Sequence, residues 1–168
     1  MEPVARSDAF AASSEIHPDL GEVVFLLGTW RGEGDGEWPG TEPFRYGEEV
    51  AFEDVGDDYL VYTHRSWSLH DGSPVHLERG FLRPAGPGRV ELVLAHPLGI
   101  TEIAEGTVVA GEAVEVASTV VGLTSTAGPV TELRRRIELR GDAMLNETHM
   151  AMRDVPLMSH VRARLARA

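Results

Sequence analysis

The sequence predicts an all-β fold: a single antiparallel up-and-down β-barrel of about ten strands, with short N-terminal and C-terminal helical segments. Three observations predict it. Short extended segments recur at regular spacing from residue 28 to residue 152, each closed by Gly, Pro or Asp. Nearly every connection is hairpin-short and none is a long crossover, which favours a meander over a Greek key. The stretch LLGTWRGEGDGEWP at 26–39 places Gly28, Gly32, Gly34 and Gly36 around Trp30. Glycines interleaved with one large ring in an extended segment mark a strand that bends around the ring or lies close against another backbone.

The elements follow in order. His17-Pro18-Asp19-Leu20 opens a short helical segment, with Pro18 suited to a first turn. Strands are expected at 44–55, ending near Gly56-Asp57-Asp58, and at 59–69, where Tyr59, Val61, Thr63, Arg65 and Trp67 share a face. Asp71-Gly72 turns into 75–83, and Pro84 to Gly88 closes that strand. Further strands are expected at 89–95, 100–109 and 113–121, then, after a looser stretch at 122–129, at 130–140 and 143–152. The last of these alternates Met144, Asn146, Thr148, Met150 and Met152 on one face, which suits either core filling or the wall of an irregular cavity. Beyond Met152, Leu157, Val161 and Leu165 lie four apart and Ser159 could cap a short terminal helix.

The chain has 168 residues, enough for one domain with a sizeable core, and no cysteine. Disulfides, iron–sulfur clusters, Cys-ligated zinc and thiolate-ligated haem are thereby excluded. All 15 basic residues are Arg, which excludes Lys-based Schiff-base chemistry. The net charge of −12 repels phosphate backbones and argues against a nucleic-acid partner. No apolar run approaches the length needed to span a bilayer, and the N-terminal residues lack an apolar signal core. Residues 1–17 are expected to be a flexible lead, residues 18–168 one barrel domain, and the location cytoplasmic.

Seven histidines, at 17, 64, 70, 76, 96, 149 and 160, are the candidate ligands, and no pair has the spacing of a helical zinc site. His160 stands where a terminal segment folds back among Leu157, Met158 and Val161. It either aims at a ligand in the barrel mouth or is a surface residue on a terminal helix. His76 and His96 sit at strand edges beside Pro74 and Pro97, where they either line a pocket or lie exposed. Glu48-Glu49 reads as a charged run on a solvated strand face.

The chain resembles the nitrobindin family, the β-barrel haem proteins also described as peroxynitrite isomerases, which share architecture with lipocalins and fatty-acid-binding proteins. The resemblance runs from about residue 18 to 165. It rests on the G-x-W-x-G-x-G core of the first motif (Gly28, Trp30, Gly32, Gly34), PFRYGEEVAF at 43–52, PVHLERGFLRP at 74–84, ELVLAHPLGITEI at 91–103 and PLMSHV at 156–161. It implies one haem b per chain in the barrel mouth, with His160 as the axial iron ligand. It also implies His76, His96 and Met150 beside the haem. Many members carry a haem-touching Thr where this chain has Gly40, with Thr41 displaced by one, and a Lys near a propionate where this chain has Gly128.

The activity implied is that of a ferric haem protein that binds nitric oxide and isomerises peroxynitrite to nitrate, as an enzyme or as a sensor. The iron is its only catalytic centre. The implied partners are those small molecules, with no membrane, and a homodimer is allowed. The alternative is a haem-free carrier of a small apolar ligand, in which His160 is incidental.

Overall fold

The computed structural model describes residues 15–168. Most of the expected lead therefore lies outside the described residues. Two 3-10 turns, Pro18–Leu20 and Val24–Leu26, precede ten strands. These are β1 (Gly28–Gly36), β2 (Phe44–Asp54), β3 (Leu60–Ser68), β4 (Pro74–Pro84) and β5 (Arg89–His96). They continue as β6 (Ile100–Val109), β7 (Ala113–Leu123), β8 (Val130–Arg140), β9 (Ala143–Met152) and β10 (Val155–Arg167). Every strand pairs antiparallel with its chain neighbours, and β1 pairs with β10 to close the barrel.

The expected meander is therefore the observed one, but the expected C-terminal helix is strand β10. Leu157, Val161 and Leu165 lie four apart, but the operative period is two. Val161, Ala163 and Leu165 alternate inward while Arg162 and Arg164 point out, a period of two. The open edges of β1 and β9 supply the partners that a lone helix at this position would lack.

The closing seam explains the glycines of the first motif. A Cβ at Gly32 would overlap the Arg164 carbonyl, and one at Gly34 would overlap the Arg162 carbonyl and the Tyr46 ring. β1 can lie against β10 only because those positions carry no side chain. Trp30, 1% exposed, anchors the start of the seam. Its indole Nε1 donates to the Leu26 carbonyl at 2.9 Å, and the Arg167 guanidinium lies 4.1 Å from its ring centroid.

The 3-10 turns plug one end of the barrel. Leu20, Val23 and Leu26 are fully buried against Trp30, Phe52, Leu60, Leu82, Val90 and Val108. Glu22 accepts from the Gly88 backbone N–H at 2.9 Å and ties the plug to the β4–β5 hairpin. At the other end the barrel loosens. The β7–β8 ladder stops at Ala117↔Arg134, and above it the Ser118 hydroxyl accepts from the Leu133 N–H at 3.0 Å in place of a strand partner. One end is thus a dry core and the other a mouth.

Candidate functional site

A cavity of about 380 Å³ opens at this mouth, within the size range of small-molecule and cofactor pockets. Its rim is apolar: Phe44, Val75, Leu98, Ile100, Val130, Leu133, Met150, Met152 and Val161. His160, His76, His96, Gly128 and Met150 all line it, so five of the residues singled out in the sequence converge here. The Asn146, Thr148, Met150, Met152 face of β9 is a cavity wall. Gly40 and Thr41 do not line the cavity. They form the exposed β1–β2 turn, where the Thr41 N–H and hydroxyl both donate to the Trp38 carbonyl.

His160 reaches the cavity through an irregularity. Ser159 pairs with His149 and Val161 with Thr148, so His160 is the extra residue of a β-bulge between β10 and β9. Strict alternation would send one of two adjacent residues outward, yet both His160 and Val161 line the cavity. Bulges re-aim side chains in this way. The ring is then held from several sides. Its Nδ1 lies 3.1 Å from the Glu37 carbonyl, which can only accept, so Nδ1 carries the proton and Nε2 keeps its lone pair. The Glu37 N–H returns a bond to the His160 carbonyl at 2.9 Å. Trp38 meets the ring edge-on at 5.1 Å and Phe44 at 6.4 Å. Burial, with His76 nearby, pushes the imidazole below its ordinary pKa despite the Glu37 contact, which keeps it neutral.

Beneath the rim lies a buried polar layer that the sequence analysis missed. Glu48, Glu78 and Glu102 are each under 5% exposed; Asn146 donates to Glu48, and a single guanidinium, Arg135, serves the other two. Arg135 forks onto Glu78 through two 2.9 Å bonds and reaches Glu102 at 2.8 Å. Burial opposes charge on Glu78 and Glu102, but Arg135 outweighs it and holds both carboxyl groups below their usual range. Burial likewise opposes charge on His64, but Glu48 at 3.4 Å, with Glu78 beyond it, raises that imidazole above its ordinary value. His76 Nε2 lies 3.1 Å from Glu78 and 3.3 Å from His96 Nδ1.

The expectation that Glu48 belongs to a solvated face is corrected. Glu49 is the outward residue and pairs with Arg31 and Arg65, whereas Glu48 is 1% exposed. The signal was present as parity: Tyr46, Glu48, Val50 and Phe52 share a face, as do Leu133, Arg135 and Ile137.

Comparison with known proteins agrees with this geometry. The profile of the THAP4-like, heme-binding β-barrel domain family matches residues 19–167. The chain is 47% identical to peroxynitrite isomerase 2 of Mycobacterium marinum, covering 92% of this chain and 98% of that protein. It is 43% identical to the peroxynitrite isomerase of Nocardia farcinica, covering 92% and 94%. The crystal structure of Rv2717c from M. tuberculosis superposes with a TM-score of 0.85 at 42% identity, covering 92% of this chain and 99% of that one.

Proposed function

This chain belongs to the THAP4-like, heme-binding β-barrel family, and from that premise we propose that it holds one haem b on His160, isomerises peroxynitrite to nitrate and binds nitric oxide. The observation that carries the reading is the His160 tautomer. A neutral imidazole with Nδ1–H fixed on the Glu37 carbonyl presents the free Nε2 lone pair that an iron ligand requires.

The residues present fit such a group. The donor set at the mouth is one neutral imidazole, and the walls around it are apolar side chains suited to a porphyrin face. When bound, a ferric haem would be held by His160 and would supply a Lewis-acidic iron. The chain's own residues do the rest. Trp38 and Phe44 lock the His160 ring. Met150, Met152, Leu133 and Ile100 exclude water and lower the local dielectric. His76 and His96 place their rings on the cavity wall, where they give the inner end of an otherwise apolar pocket a polar edge. The carrier alternative lacks a comparable observation, because a lipid gives no reason for a bulge-aimed, tautomer-fixed histidine.

Stopped-flow decay of peroxynitrite tests the proposal. Haem-loaded protein is expected to accelerate decay and raise the nitrate-to-nitrite ratio, and His160→Leu to return both to the level of buffer. Equal rates for the two proteins would refute it.

A further inference from the structure

We propose that His76, Glu78 and His96 form a binding site for one divalent first-row transition ion, of the zinc or ferrous class, on the inner wall of the cavity. The site lies in the cavity that His160 also lines, but His160 is not one of its ligands, and the inference stands without the haem reading.

Three atoms carry the inference. His76 Nε2, Glu78 Oε1 and His96 Nδ1 form a triangle with edges of 3.1, 3.3 and 3.4 Å. Zinc–nitrogen and zinc–oxygen bonds of about 2.0–2.1 Å at tetrahedral angles give ligand–ligand edges of about 3.3–3.4 Å. The triangle therefore already has the dimensions of one face of a metal site. Among the described residues this is the one His/Cys/Asp/Glu group brought together in this way.

The hydrogen bonding around the triangle points the same way. His96 is a buried ring, with its side chain 5% exposed, and its Nε2 has no hydrogen-bond partner although it lies 3.4 Å from Glu102 Oε2. Placing the His96 proton on Nε2 puts it on the side of the ring that the Glu102 carboxylate flanks and leaves Nδ1 with a lone pair facing the triangle. With both rings neutral, a single proton, that of His76, then remains for three edges. A cation at the centre accepts all three lone pairs at once. Glu102–His96–metal is then the carboxylate–histidine–metal relay that usually orients a ligating imidazole. Three buried carboxylates outnumber the one guanidinium and His64 in this layer, and a cation at the triangle offsets the excess negative charge.

The donor set selects the class of ion. Two imidazoles and one carboxylate suit zinc, ferrous iron or cobalt rather than calcium or magnesium, which prefer all-oxygen shells. All three residues line the cavity, so the remaining coordination positions face it, as in sites that bind an exogenous ligand.

Cobalt(II) and zinc(II) titrations of the full chain test the proposal. Wild-type protein is expected to take up one equivalent of either ion, with cobalt showing the strong visible bands of a four-coordinate site. His160→Leu and His149→Gln should bind unchanged, His96→Gln and His76→Gln should lose the equivalent, and Glu102→Gln should weaken it by about 10–100-fold. Thermal melting and the far-UV spectrum report whether each variant is folded. Anomalous diffraction from cobalt-soaked wild-type crystals needs no variant and should place the ion between the three atoms. Absence of saturable binding, the outcome if a second proton on His96 fills these contacts instead, would overturn the site. So would binding that survives His96→Gln, or an anomalous peak elsewhere.

Discussion

Arg135 is the residue on which the interior most depends. It is the single guanidinium among three buried carboxylates, and it touches two of them directly. Removing one member of a buried ion network leaves the others charged and unpaired, so Arg135→Met should cost about 3–5 kcal/mol of stability in urea unfolding. The pH dependence gives a second readout. Glu78 and Glu102 are held below their unfolded values, so their contribution is complete above the ordinary carboxylate range and is withdrawn as the pH falls through the folded values. Wild-type protein should therefore lose stability on acidification below about pH 4. Arg135→Met should instead gain stability between neutrality and about pH 5, because without the guanidinium burial raises both carboxyl groups and protonation relieves them. Parallel acid-side stability curves for the two proteins would contradict this account of the layer.

At the scale of elements, the barrel is held shut by what β1 lacks. Gly32→Val would drive a side chain into the Arg164 carbonyl, and the expected cost is about 1–3 kcal/mol, measured as a lower melting temperature. The protein that remains folded should still bind hemin, since Gly32 pairs with Leu165, at the end of the seam away from Glu37 and His160. A variant as stable as wild type would mean that β1 and β10 do not meet as closely as described. Strand limits were legible because hairpin turns and two-residue alternation act over a few residues. The end of β10 was not, because Leu157, Val161 and Leu165 satisfy a helical spacing and only the long-range pairing with β1 decides between them. Site residues divide the same way. His160, His76 and His96 stand out by their positions, the motif resemblance implies their roles, and the cavity brings them together. Glu78, Glu102 and Arg135 sit inward at alternating positions, but nothing local says that three strands far apart in sequence will place them against one another. The bulge that turns His160 inward is likewise a property of the β9–β10 pair and of neither strand alone.

At the scale of the whole molecule, charge and cavity oppose each other. A net charge of −12 surrounds a mouth that is proposed to admit the peroxynitrite anion. Repulsion at long range slows such an encounter, and salt screens it over a Debye length of about 10 Å at 0.1 M. The second-order rate for the anion should therefore rise with ionic strength, while nitric oxide, which is uncharged, should associate at a salt-independent rate. An anion rate that fell with added salt would mean that local positive potential at the mouth overrides the global charge.

Titration of the purified chain with hemin, followed at the Soret band, decides whether His160 holds haem in the open end of this barrel. Saturation is expected at one equivalent with the spectrum of a histidine-ligated ferric haem, and that spectrum should be lost in His160→Leu while the melting curve of the folded barrel is retained. A Soret spectrum unchanged by His160→Leu, or no uptake of hemin by the wild-type chain, would contradict that role for His160.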